Sequence, residues 1–89
     1  MGQLLVVARI LPEGIEVSLE KLREDIAKTL PQGYELRMWE EEPVAFGLKA
    51  LRLAIIMPED VEGGTETLEN LISQVEGVSS VEIEYVSRI

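Results

Sequence analysis

The apolar positions at the start of the chain predict one strand followed by one helix. Residues 3–11 are almost all apolar and are followed by a proline, which is the pattern of a central strand covered on at least one face. Ser18 is a typical N-cap, and Val17 and Leu22 stand at the two positions of a hydrophobic staple. We expect an amphipathic helix that stops at Pro31, because apolar residues recur every three or four positions at Leu19, Leu22, Ile26 and Leu30.

The middle of the chain predicts two strands. Residues 34–40 alternate between apolar and polar with a period of two, which is typical of a strand with one solvated face. Residues 48–57 predict a third strand that Pro58 ends. One face of this third strand is mostly apolar and consists of Lys49, Leu51, Leu53, Ile55 and Met57, and the other carries Ala50, Arg52 and Ala54.

The last third of the chain predicts a second helix and a fourth strand. The helix begins near Thr65 and ends at Gly77, and its apolar stripe consists of Leu68, Leu71, Ile72 and Val75. The strand is indicated by alternation of Val81, Ile83 and Tyr85 with Glu82 and Glu84.

The resulting order of elements is β-α-β-β-α-β. With short connections and right-handed crossovers, this order predicts a ferredoxin-like α+β sandwich. Such a fold has a four-stranded antiparallel sheet with both helices on one face. We expect residues 1–89 to form a single domain, and a domain of this size buries only about 60–65% of the surface of its unfolded chain. Little room is left for a deep catalytic cavity.

The charge and composition exclude several classes of function. Seventeen acidic and eight basic residues give a formal net charge of −9, which repels nucleic acid and anionic lipid. The chain has no His and no Cys, so the commonest general base, the usual zinc ligands and disulfides are absent. The N-terminus lacks the features of a signal peptide, and no apolar run is long enough to span a bilayer. We expect a cytoplasmic protein that does not contact membranes directly.

Local motifs give no evidence for an enzyme, a cofactor or a metal. The acids of residues 40–42 and of residues 59–62 do not have the spacing of a calcium loop. A phosphate bound at Gly63-Gly64 would meet the surrounding acids, which are Glu59, Asp60, Glu62 and Glu66. The period of the second strand places Trp39 with Glu35 and Arg37; partial burial in the core is the simpler interpretation, and exposure on the open sheet face is the alternative.

One aromatic residue stands out from this pattern. Phe46 lies on a predicted loop, between Pro43 and Gly47, immediately before the third strand. A large apolar side chain on such a loop either folds back into the core or contacts a partner, and the pattern alone favours neither. Arg88 lies beyond the last predicted strand, where an arginine is usually a solvated charge.

Four segments together resemble archaeal elongation factor 1-beta over the whole chain. They are Glu-Pro-Val-Ala-Phe-Gly-Leu-Lys-Ala-Leu at 42–51, Glu-Gly-Gly-Thr-Glu at 62–66, Val-Glu-Gly-Val at 75–78 and Ser-Arg-Ile at 87–89. The first segment is also similar to the loop of the eukaryotic exchange domain. The resemblance implies a ferredoxin-like fold and a factor that promotes release of GDP from elongation factor 1-alpha, so that GTP can rebind. It implies no covalent catalysis and no cofactor.

The resemblance also implies which residues contact elongation factor 1-alpha. Phe46 matches an aromatic residue that enters a pocket of the partner's second domain. Arg88 matches the penultimate Lys of the eukaryotic domain, which reaches toward the magnesium and phosphate region; the chain departs from that pattern by carrying Arg. Lys49 matches a loop Lys, and Pro43 and Ile89 complete the implied contact residues.

Three functions are compatible with the chain at this stage. The first is an exchange factor that acts as a monomer, whose negative charge suits a partner that handles tRNA. The second is a small-ligand regulatory module of the same fold, which would form a dimer. The third is a protein-interaction domain that uses the open sheet face around Arg52 and Trp39.

Overall fold

The computed structural model describes residues 2–89 and confirms the ferredoxin-like α+β fold. The elements are β1 (Gln3–Pro12), α1 (Leu19–Thr29), β2 (Glu35–Ala45), β3 (Leu48–Pro58), α2 (Thr65–Ser73) and β4 (Val78–Arg88). The sheet has the strand order β2-β3-β1-β4, and each neighbouring pair is antiparallel.

The core lies between the sheet and the two helices. Alternate residues of β1 and β3 point toward α1 and α2 because successive side chains of a strand face opposite sides. The fully buried large side chains come from all four of these elements and are Val6, Ile10, Leu22, Ile26, Leu51, Leu53, Ile55, Met57, Leu68 and Ile72. No polar or charged residue is buried among the described residues, so apolar burial supplies most of the stability of the core.

The first helix begins where its cap was predicted. The Ser18 hydroxyl oxygen accepts a hydrogen bond from the backbone N–H of Lys21 at 3.2 Å, which satisfies one of the unpaired donors of the first turn. Leu22 is buried and Val17 packs against the core from outside the helix, as a hydrophobic staple requires. The helix ends at Thr29, just ahead of Pro31.

The second strand is longer than predicted, and its register changes in the middle. The pairing of β2 with β3 shifts between Leu36 and Met38, so Trp39 lies opposite Leu53, whose side chain is in the core. A bulge of this kind reverses the face on which later side chains lie. The expectation that Trp39 shares a face with Glu35 and Arg37 is therefore wrong.

Trp39 lies on the helix side of the sheet and at its edge. Its side chain is half exposed, and the guanidinium carbon of Arg23 on α1 lies 4.2 Å from the ring centroid. Such a cation–π contact covers one face of the ring without burying it. Trp39 therefore belongs to the packing between α1 and β2 rather than to the open face of the sheet.

Candidate functional site

The turn between β2 and β3 has an unusual backbone. Ala45 pairs with Leu48, so Phe46 and Gly47 are the two central residues of a tight hairpin. Their φ angles are 52° and 81°, and positive φ at both central residues is the mark of a type I′ turn. The loop predicted around Phe46 is thus a two-residue hairpin tip, a conformation that favours Asn, Asp or Gly at the first central position.

Phe46 occupies this position at an energetic disadvantage. It is the one non-glycine residue with a positive φ among residues 2–89, and a left-handed conformation costs a bulky L-residue about 1–2 kcal/mol. Its side chain is 100% exposed, so no contact within the chain offsets that cost. Residues with a strained backbone are often found at functional sites, so the conformation of Phe46 suggests that its side chain has a function. The question whether Phe46 folds into the core or points outward is resolved: it points outward.

A groove lies beside this hairpin on the helix side of the sheet. It has a volume of about 320 Å³, and its walls include Ile15, Glu41, Gly47 and Lys49. Ile15 is 69% exposed, and its Cγ2 methyl is 3.8 Å from the point where a Cβ on Gly47 would lie. Ile15 is therefore an exposed apolar side chain near the hairpin tip, in a position to contact a partner that binds there.

Lys49 supplies a positive charge at the edge of the groove. Its ammonium nitrogen lies 3.7 Å from Glu41 Oε1, and its side chain is 55% exposed. An ion pair this open to solvent is weak and readily rearranged. Pro43 lies opposite Lys49 across the hairpin and is exposed. The structure thus brings together three of the expected contact residues, Pro43, Phe46 and Lys49.

Arg88 lies in the last strand and not beyond it, which corrects the sequence-based expectation. It pairs with Leu4 of β1, and the backbone N–H of Ile89 donates to the carbonyl oxygen of Gln3 at 2.9 Å. Strand pairing therefore fixes the backbone of the C-terminal residues. The Arg88 side chain is 80% exposed and that of Ile89 is also exposed.

The two groups of expected contact residues lie at opposite ends of the sheet. Arg88 is opposite Leu4, and Leu4 is opposite Met57 at the far end of the strand that begins at Leu48. With a rise of about 3.3 Å per residue, Phe46 and Arg88 are about 30 Å apart along the strands. The longest dimension of the molecule is 43 Å. No single pocket can contain both residues.

Charged side chains cover one end of the open sheet face and pair with one another. Arg52 donates from Nε to Glu84 Oε1 at 2.8 Å and from Nη1 to Glu40 Oε1 at 3.3 Å and Glu42 Oε2 at 3.4 Å. Arg9 donates to Glu42 Oε1 at 3.0 Å. The guanidinium groups of the open face are therefore already engaged within the chain.

These contacts lower the pKa of Glu42 and raise the pKa of Arg52. The hydrogen bond from Arg9 is the main reason that the pKa of Glu42 is lowered from its ordinary value of 4.5, and the charge of Arg52 adds to it. The pKa of Arg52 is raised, first by its hydrogen bond to Glu84. Both shifts stabilise the charged forms, which identifies the cluster as a structural ion network rather than an acid–base site.

Other kinds of site find no support in the part of the chain that is described. Residues 2–89 contain no group of three or more carboxylates placed to hold a metal ion. None of the helices in this range is long and apolar enough to cross a membrane. Phe46 and Arg88 are exposed side chains near the two ends of the sheet, where strand pairing defines the neighbouring backbone.

The sequence did not identify two residues as candidates for the functional site. Ile15 lies near the hairpin, and Glu59 lies beside Arg88. An apolar residue within the polar turn Glu13-Gly14-Ile15-Glu16 was the available signal for Ile15. Nothing local marked Glu59, which approaches Arg88 only through the pairing of β1 with both β3 and β4.

Comparison with known proteins shows the family to which the chain belongs. Residues 5–89 match the family model described as the EF-1 guanine nucleotide exchange domain. Proteins called elongation factor 1-beta from Desulfurococcus amylolyticus and Staphylothermus marinus are 71% and 58% identical over 89 residues, which cover 100% of this chain and 99% of each relative. The one from Aeropyrum pernix is 48% identical with the same coverage.

Among solved structures, a similar fold is found in the C-terminal domain of the MgtC protein from Mycobacterium tuberculosis. The TM-score is 0.66 with 21% identity, and the match covers 97% of this chain and 88% of that chain. At this level of identity the likeness concerns the fold alone.

Proposed function

The chain belongs to the EF-1 guanine nucleotide exchange domain family, and we propose that it promotes the exchange of GDP for GTP on elongation factor 1-alpha during protein synthesis. An exchange factor forms no covalent bond with its substrate. It must bind the nucleotide-free or distorted GTPase more tightly than the GDP-bound form, because a ligand shifts an equilibrium only by its differential affinity. The family name and the relatives named elongation factor 1-beta support this role.

The exposed position of Phe46 at the hairpin tip is the main observation that supports the proposal. It is fully exposed, and the hairpin holds it at a φ that a phenylalanine does not prefer. A phenylalanine has only two side-chain torsions to order on binding, and buried aromatic anchors often dominate the energy of an interface. In this proposal Phe46 enters an apolar pocket of the GTPase, and Ile15, Pro43 and Lys49 contact the rim of that pocket.

Arg88 and Ile89 act at the other end of the sheet. The magnesium ion and the phosphates of bound GDP hold one another by charge, and a cation placed nearby weakens both. A guanidinium that is 80% exposed on a strand with fixed backbone is suited to this task. The separation of about 30 Å lets one end of the sheet anchor the factor while the other end disturbs the nucleotide site.

The chain's charge supports an encounter with a positively charged partner. The formal net charge of −9 attracts a protein with a basic surface from a distance of about one Debye length, roughly 8 Å at physiological salt. The same charge disfavours direct contact with nucleic acid or membrane lipid. We further propose that the chain acts as a monomer in the cytoplasm and that residues 1–89 form one exchange domain.

Release of a fluorescent GDP analogue from a cognate archaeal elongation factor 1-alpha tests the proposal. We expect the chain to accelerate release. Phe46→Ala should raise the concentration needed for half-maximal acceleration by at least about thirtyfold, since an anchor of an interface contributes about 2 kcal/mol or more. Arg88→Ala should mainly lower the maximal rate, because Arg88 acts on the nucleotide site rather than on the anchor.

Two control variants remove exposed side chains of the same chemical kind as the tested residues. Val44→Ala removes an exposed apolar side chain from the same hairpin, and Arg37→Ala removes an arginine that is 55% exposed and ion-paired to Glu35 on β2. Both should behave like the unsubstituted protein. If a folded, unsubstituted chain does not accelerate release, the proposed function is wrong. Acceleration that survives Phe46→Ala and Arg88→Ala would place the contact elsewhere.

A further inference from the structure

The carboxylate of Glu59 is held in a defined place beside the C-terminal strand. Glu59 follows Pro58, the last residue of β3, and its backbone N–H donates to the carbonyl oxygen of Gly2 at 3.1 Å. The backbone N–H of Gly2 in turn donates to Glu59 Oε1 at 3.2 Å. The Glu59 side chain is only 26% exposed. This carboxylate is therefore a fixed group at the end of the sheet, and not a mobile surface acid.

The other carboxylate oxygen of Glu59 contacts the exposed arginine. Glu59 Oε2 lies 3.0 Å from Arg88 Nε. Strand pairing with Leu4 and the hydrogen bond from Ile89 to Gln3 hold the backbone of Arg88 but leave its long side chain free to rotate. Ordering such a side chain costs about 1.5–2 kcal/mol of rotamer entropy. A contact that restricts the side chain before binding lowers this cost at the moment of binding.

The atom that Glu59 contacts is important for what Arg88 can still do. A guanidinium has five N–H donors, one on Nε and four on the two terminal nitrogens, Nη1 and Nη2. The Glu59 carboxylate approaches the guanidinium at Nε, with Oε2 at 3.0 Å. The two Nη nitrogens form the fork that binds phosphate or carboxylate oxygens. Arg88 can thus be held from behind by Glu59 and present its fork to a partner at the same time.

We propose that Glu59 is a positioning residue for Arg88: its carboxylate orients the guanidinium so that the Nη fork faces the anionic nucleotide site of the GTPase. This inference rests on the proposed function. It also explains why an arginine suits position 88 of this chain. A lysine carries its whole charge on one nitrogen, which lies at the position of the arginine Cζ, so Glu59 would attract the only group that has to act on the partner.

The effect of Glu59→Gln on the acceleration of GDP release should have opposite signs with Arg and with Lys at position 88. With Arg88 present, Glu59→Gln should lower the acceleration of GDP release by about two- to fivefold, the range of an exposed ion pair. Arg88→Lys alone should lower it by about tenfold, which corresponds to the loss of a charge-assisted hydrogen bond. Adding Glu59→Gln to Arg88→Lys should then raise the acceleration by at least about twofold, because the ammonium is released from Glu59.

Glutamine is the suitable replacement because its amide oxygen can still accept the hydrogen bond from Gly2 while the negative charge is lost. Glu59→Asp provides the conservative variant. It keeps the charge and retracts it by one methylene, a distance that the exposed Arg88 side chain can follow, so most of the acceleration should be recovered. Circular dichroism and the thermal midpoint of each variant show whether it is folded.

The experiment is GDP-analogue release measured for the unsubstituted chain, Glu59→Gln, Glu59→Asp, Arg88→Lys and the double variant Arg88→Lys/Glu59→Gln. Opposite signs of the Glu59→Gln effect in the two backgrounds, with Glu59→Asp close to the unsubstituted chain, support the proposal. The same sign in both backgrounds overturns it, because a merely structural carboxylate would act alike in both. Failure of the unsubstituted chain to accelerate release overturns instead the proposed function on which the inference rests.

Discussion

Replacement of Phe46 by asparagine should stabilise the fold while it weakens the binding on which exchange depends. Phe46 is the first central residue of the β2–β3 hairpin, where its φ is 52° and Gly47 follows with a φ of 81°. Asparagine is among the residues that this type I′ turn prefers, because its short polar side chain tolerates the left-handed region. The substitution therefore relieves backbone strain at a site where the natural side chain makes no stabilising contact.

The size of the effect follows from the exposure and the backbone of Phe46. Its side chain is 100% exposed, so its removal forfeits no buried apolar area. The left-handed conformation costs a non-glycine residue about 1–2 kcal/mol, of which asparagine recovers a large part. We expect a gain of about 1 kcal/mol in the free energy of unfolding, which corresponds to about 4–8 °C in Tm for a domain of this length.

The assay compares the Tm and the urea midpoint of three variants with those of the unsubstituted chain. Phe46→Ala removes the ring and keeps the positive φ, so its stability should be nearly unchanged. Val44→Asn places asparagine in the neighbouring extended strand, where it should be neutral or destabilising. A Phe46→Asn midpoint at or below that of Phe46→Ala would refute the strain argument. Both Phe46 variants should need a higher concentration for half-maximal acceleration of GDP release, because both lack the aromatic anchor.

Three further predictions concern the helix cap, the ion network and the encounter with the partner. Ser18→Ala removes the hydrogen bond to the N–H of Lys21 and should lower the free energy of unfolding by about 1 kcal/mol; an unchanged urea midpoint would contradict the cap. The folded-state pKa of Glu42 is lowered from 4.5, so its stabilising contribution is present above pH 4.5 and is lost as pH falls through the lowered value. Chemical denaturation at a series of pH values should therefore show a smaller difference between Glu42→Gln and the unsubstituted chain in acid than at pH 7. Stopped-flow association rates with elongation factor 1-alpha should fall as salt rises, and a rate independent of ionic strength would argue against electrostatic attraction.

The order of the elements could be predicted because each element carries its own local signal. The Ser18 cap, the three-to-four spacing of α1 and the alternation of β3 depend on neighbours only a few residues away. The structure confirms the ferredoxin-like order and the cap. The ends of β2 and β4 were predicted too short, because their pairing with β3 and β1 continues through residues that have no apolar alternation of their own.

The candidate site was only partly predictable. Resemblance of short segments pointed to Phe46, Lys49 and Arg88, and the exposure of all three agrees with a role in binding. Their use by a partner remains a prediction. Nothing in the residues themselves indicated that they form two groups about 30 Å apart, because that separation follows from the antiparallel pairing of long strands.

Composition, periodicity and capping residues were enough to establish an acidic ferredoxin-like domain without His or Cys, since these properties depend on residue identity and short spacing alone. Three features arise only when distant segments pair. They are the left-handed hairpin tip at Phe46, the shifted register that turns Trp39 toward α1, and the meeting of Glu59 with Arg88. The physical reason is that strand register and bulges are set by cooperative packing of the whole sheet against its helices, and no short stretch of sequence contains that information.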